Sequence, residues 1–144
     1  MNKDVGRAAE RELVKVLNAA GYRAVRIPTS NSSPNPLPDV FAVKGNLLLA
    51  FEVKSSWEDR VKVRSLQIRK LFEFVSLFPM TGVPAVAVKF KKIGRWKFLR
   101  VKGLTDIVVT LEGTQYLEEL LTPGVESLEK VEKFREQEKA LADF

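Results

Sequence analysis

Apolar side chains recur at Ala9, Leu13, Val16, Leu17 and Ala20, a helical spacing that predicts an amphipathic helix over residues 4–20, stopped by Gly21. Tyr22 to Ile27 reads as a strand. The segment 29–38, TSNSSPNPLP, is dense in Ser, Asn and Pro and reads as a loop. Asp39 to Val43 and Leu47 to Lys54 are short apolar runs joined at Lys44-Gly45-Asn46, the pattern of a hairpin. A second helix is predicted over 65–78. Leu66, Leu71, Phe74, Val75 and Phe78 form its stripe, Phe72 and Leu77 widen it, and Pro79 and Gly82 end it. Val83 to Phe90 is a β-branched strand, and Gly94 turns the chain into the alternating Trp96 to Val101. The tail reads as two helical pieces, about 114–121 and from Val125 onward. Helix, three strands, helix, two strands predicts an α/β or α+β domain with a mixed sheet whose first three strands form a meander.

A chain of 144 residues fits one domain. No apolar run approaches the ~18 residues that a membrane helix needs. The opening MNKDVGRAAERE lacks the apolar core of a signal peptide, so the expected compartment is the cytoplasm and no membrane partner is expected. There is no cysteine, hence no disulfide and no thiolate zinc site. There is no histidine, hence no histidine general base. Hydrolytic chemistry in this chain has to run on carboxylates, lysine and a metal that carboxylates can hold. Charge is unevenly placed. Residues 1–104 hold 20 Lys/Arg against 8 Asp/Glu, a net +12, whereas residues 105–144 hold 4 against 10, a net −6. A body so basic suits a polyanion, nucleic acid first, and the acidic tail belongs away from it.

The chemistry is concentrated in Pro38-Asp39 and, one hairpin later, Glu52-Val53-Lys54. Glu52 and Lys54 are two apart on a strand and share a face, while Phe51 and Val53 take the other. The hairpin brings Asp39 near Glu52, so two carboxylates and an ammonium converge. Acids in apolar runs such as PDVFAV and LLLAFEVK are costly unless paired or metal-bound. Oxygen ligands of this kind suit Mg²⁺, with Mn²⁺ as substitute. Such an ion polarises a phosphate oxygen and acidifies a bound water, and Lys54 can orient that water or stabilise charge on the phosphate. A third acid on the first helix borders the core, but periodicity alone does not choose between Glu10 and Glu12.

PDV…FEVK resembles the PD-(D/E)xK nuclease superfamily. More closely, the chain resembles the archaeal Holliday junction resolvases of the Hjc type, from about Val5 to Val101, through GRAAERELVKVL, AVRIPTS, PDVFAV, FEVK, LFEFVSLF and VPAVAVKF. The resemblance implies a restriction-endonuclease-like α/β core, with a mixed central sheet flanked by helices, and paired symmetric nicks in four-way junction DNA. It implies Glu10, Asp39, Glu52 and Lys54 as the catalytic set, and Glu10, Asp39, Glu52 and Val53 at the metal. It implies DNA contacts from Arg11, Arg26, Ser30 and Lys89, and a homodimer with Phe74 and Phe78 at its interface. Two-fold symmetry suits two cuts in opposed strands.

The loop 29–38 is longer and richer in proline than the family pattern. The nuclease unit is expected over 1–104, with 105–144 as an acidic, partly helical extension of the same domain. The C-terminal QEKALADF faintly resembles a sliding-clamp-binding peptide, with Asp143 where its first aromatic residue would stand. Two other readings use the same residues. One is a different PD-(D/E)xK nuclease acting on linear or damaged duplex, and the other is a junction-binding module that does not cut.

Overall fold

Helix α1 (Lys3–Ala19) buries Ala9, Leu13 and Leu17 along one stripe. It ends in a motif that only a left-handed residue completes: Tyr22 N–H donates to Leu17 O, Gly21 N–H donates to Asn18 O, and Gly21 takes φ 93°. This computed structural model describes residues 3–28, 35–112 and 117. Ser30, most of the loop 29–38, both expected tail helices and the clamp-like peptide lie outside the described residues.

Beyond α1 come β1 (Arg23–Arg26), β2 (Val40–Lys44), β3 (Leu47–Ser56), β4 (Arg60–Val63), α2 (Ser65–Ser76), β5 (Thr81–Phe90), β6 (Arg95–Arg100) and β7 (Ile107–Thr110). The main sheet has the order β1-β2-β3-β5-β6; β3 and β5 run parallel and every other pair is antiparallel. This is the mixed sheet expected, with the first three strands as a meander. Gly45 (φ 57°) opens the two-residue β2–β3 turn, where a side chain would be strained.

The sheet carries a core on each face. Leu49, Phe51, Val53, Val83, Ala85 and Ala87 pack under α1, and Leu117 joins them. Leu48, Ala50, Val86, Val88 and Phe90 pack under α2 with Ile68, Leu71, Phe72, Phe74 and Val75. The near-continuous apolar runs of β3 and β5 follow from this, because central strands are covered on both sides. Helix α2 lies close to the sheet: a Cβ placed on Gly82 would stand 2.6 Å from Val75 Cβ.

Strands β4 and β7 were not anticipated. They form a separate two-stranded antiparallel sheet, Arg60 opposite Thr110 through Val63 opposite Ile107, and add Val63 and Val109 to the α2 core. Residues 107–110 are thus built into the fold on the far side of the expected boundary at 104. Lys97 of β6 fastens them, donating to Thr110 O at 2.6 Å and to Glu112 O. No described helix is long and apolar enough to cross a membrane.

Candidate active site

The start of β2 and the second half of β3 set the site. Side-chain alternation puts Asp39, Glu52 and Lys54 on the α2 face, since their neighbours Val40, Phe51 and Val53 fill the α1 core. Asp39 N–H donates to Phe51 O at 3.0 Å, and Val53 N–H donates to Asp39 Oδ2 at 2.8 Å. Both main-chain groups of β3 therefore face the β2 edge. Main-chain direction alternates along a strand, so the Val53 carbonyl points to that edge too, beyond Val40, the last residue of the β2 ladder.

Glu52 Oε1 accepts from Gln67 Nε2 at 2.8 Å and lies 3.4 Å from Lys54 Nζ. Glu52 and Asp39 stand close enough that each carboxyl perturbs the other. Burial, then the charge of Asp39, pushes the Glu52 carboxyl from its ordinary 4.5 up to about 8. Burial raises Asp39 as well, against the opposing hydrogen bond from Val53 N–H and the positive fields of Lys54 and Lys70. Two like charges at this range in a partly buried site cannot both ionise cheaply. The pair holds a proton where a cation could sit.

Gln67 and Lys70 went unnoticed in the sequence. Gln67 is at the third position of α2, where its Oε1 accepts weakly from Arg64 N–H at 3.4 Å while its amide nitrogen reaches Glu52. A capping glutamine three residues after Ser, Thr, Asp or Asn is a recognisable signal. Here Arg64 stands at the cap, so nothing marked Gln67. Lys70 follows one turn later on the same helix.

The other expected residues divide by face. Glu10 Oε2 accepts from Arg26 Nε at 2.7 Å. Its carboxyl is raised, first by burial and further by the charge of Asp39, so Glu10 stands at the rim of the acidic pair. Glu12, the alternative acid on the helix, instead pairs with Lys89 at 2.6 Å and accepts from Trp96 Nε1 at 3.3 Å. Lys89 Nζ also lies 5.7 Å from the Trp96 ring centroid. Arg11 is exposed on α1. Phe74 is 6% exposed and packs in the α2 core, its ring 5.6 Å from Phe41 and 5.2 Å from Phe78. Phe78 is partly buried against the same core, beside the exposed Leu77.

Among the described residues, no three acidic side chains stand together as a cage for a metal. The donor set is two carboxylates and the Val53 carbonyl. This fits a small hard cation such as Mg²⁺, which keeps several waters and is bound through one or two carboxylates together with substrate phosphate.

Comparison with known proteins gives the family and the fold. The profile of the archaeal Holliday junction resolvase (Hjc) family matches residues 1–137. The crossover junction endodeoxyribonuclease Hje of Saccharolobus islandicus (strain REY15A) is 56% identical over 130 residues, covering 90% of this chain and 96% of that protein. The Hje of Sulfolobus acidocaldarius is 54% identical over 122 residues, covering 85% and 88%. The solved structure of Archaeoglobus fulgidus Hjc, a Holliday junction resolvase, superposes with a TM-score of 0.56 at 24% identity, covering 73% of this chain and 83% of that one. At that identity the likeness speaks for the fold alone.

Proposed function

This chain belongs to the archaeal Holliday junction resolvase family, and from that premise we infer that it is a structure-specific endodeoxyribonuclease, cutting four-way DNA junctions by metal-dependent hydrolysis. The observation that carries the reading is the Asp39–Glu52 carboxyl pair, with Lys54 and Gln67 around it. An ion pair built only for stability would not set two acids against each other.

Each residue has a task that its position allows. Asp39 is oriented by Val53 N–H, and Glu52 by Gln67 and Lys54, so both carboxylates are held before substrate arrives. Lys54 is placed to orient the attacking water or to stabilise charge developing on the phosphate. A Mg²⁺ ion, or Mn²⁺ in its place, on Asp39, Glu52 and the Val53 carbonyl would supply Lewis acidity toward the phosphate and a more acidic water. Glu10, at the rim, would complete the acidic set. Arg11, Arg26, Ser30 and Lys89 would contact the DNA backbone, which positions without reading sequence.

Two cuts in opposed strands call for two sites, and a homodimer supplies them. The C-terminal end of α2 supports that reading: Leu77 is exposed, with Phe78 and Phe74 packed behind it.

The test is cleavage of a synthetic four-way junction beside a linear duplex of the same sequence, with Mg²⁺, with EDTA, and with Glu52→Ala. Paired symmetric nicks in the junction alone, absent with EDTA or in the variant, are expected. Equal cutting of both substrates would instead indicate a general duplex nuclease. Tight junction binding without cutting would indicate a binding module.

A further inference from the structure

Trp57 is 69% exposed and lies three residues beyond Lys54, just past the end of the strand that carries the site. At the rise of a strand this is ~10 Å, about three base steps of duplex. A tryptophan so exposed offers a large apolar face to water. The contrast with the other tryptophan is direct. Trp96 is partly buried, stacks on Phe98 with centroids 6.3 Å apart and donates to Glu12.

The tip that carries Trp57 is held firmly. Lys91 N–H donates to Ser56 O at 2.9 Å, and Glu58 N–H donates to Ser56 Oγ at 3.0 Å. Leu111 N–H donates to Asp59 O at 2.8 Å, and Lys92 Nζ pairs with Asp59 at 3.2 Å. The Lys91 ammonium lies 5.8 Å from the ring centroid, and the β5–β6 turn that follows Lys91 carries Ile93, 49% exposed, and exposed Arg95. An aromatic face beside cations on a fixed tip is the chemistry that binds an unstacked nucleobase and its flanking phosphates. A rigid tip also loses little freedom on binding.

We propose that Trp57 is a stacking platform for a base freed from the helix at or near the branch point, with Lys91 and Arg95 on the adjoining phosphates. Continuous duplex offers no such base, so the contact would favour branched over linear DNA. The proposal rests on the reading of the chain as a DNA junction nuclease, and it names a contact that discriminates substrate shape rather than one that cuts.

The experiment measures affinity by fluorescence anisotropy, in EDTA, for three labelled probes. These are a four-way junction, a linear duplex, and that duplex with a single-base bulge. Trp57→Ala and Trp57→Leu should each weaken binding to junction and bulge about tenfold while changing linear duplex less than about twofold, and Trp57→Phe should stay within about threefold of wild type. The leucine variant keeps apolar bulk without a π-face, so it separates stacking from simple packing. Unchanged affinity in both variants, equal loss on all three probes, or retention by leucine alone would overturn the proposal. So would a change in sedimentation of the free protein, which would make Trp57 a subunit contact. If wild type binds junction and linear duplex alike, the junction reading falls, and the bulged probe still reports on Trp57.

Discussion

The two faces of the sheet treat charge in opposite ways. On the α1 face, acids meet bases: Glu12 with Lys89 at 2.6 Å and Glu10 with Arg26 at 2.7 Å. On the α2 face, Asp39 and Glu52 meet each other, and Glu52 is pushed up to about 8. The Lys89 bond holds Glu12 below its ordinary value. The first arrangement is what stability alone would select. The second costs stability in the ionised state and has to be justified by what binds there. Glu10 lies between the two, paired with Arg26 yet raised by burial and by Asp39.

Breaking the α2-face pair should have the largest effect. Glu52→Ala is expected to lower junction cleavage on the order of 10³-fold, since it removes a group that acts at the reacting phosphate. Single-turnover rates with bound junction measure this without interference from affinity. Gln67→Leu should lower the same rate roughly tenfold, about 1.4 kcal/mol, by leaving Glu52 without its amide donor.

Stability should move the other way at Glu52. Its folded value lies above 4.5, so the folded state holds the proton more tightly than the unfolded chain does. The cost of the ionised acid is therefore absent below about pH 4.5 and complete above about pH 8, and wild-type stability falls as pH rises through that window. Glu52→Gln keeps the shape of the acid and cannot ionise. It should be more stable than wild type by on the order of 3 kcal/mol at pH 9, and near equal at pH 4.5, in urea titrations.

Gly82→Ala should destabilise by about 1–3 kcal/mol, because the added Cβ meets Val75 and pushes α2, with Gln67, off the sheet. The smallest effect belongs to the α1 face. Glu12→Gln should cost ~0.5–1 kcal/mol, less at high salt, and leave cleavage within about threefold.

Much of this was legible from periodicity. The helices α1 and α2, the β2–β3 hairpin and the runs of β3 and β5 announce themselves because each has an apolar face or is apolar throughout. The period of two placed Glu52 and Lys54 together without any structure. Strands β4 and β7 were hidden. RVKV carries two cations in four residues, IVVT is equally short, and the partners are some fifty residues apart in the chain, so no local pattern links them. Gln67 was hidden for another reason: its role exists only once α2 is laid over β3. Glu10 and Glu12 border the same helical stripe, and what separates them is what waits across the gap, Asp39 and Arg26 for one and Lys89 for the other.

The central claim is that the Asp39–Glu52 proton occupies a cation's place. The most direct test is Mn²⁺ binding by titration calorimetry at pH 7 in two buffers of different ionisation enthalpy, which counts protons released. The account predicts close to one proton released per Mn²⁺ bound to wild type, with binding much weakened and no release in Glu52→Gln. Binding of equal strength to both proteins, or binding to wild type without proton release, would contradict it.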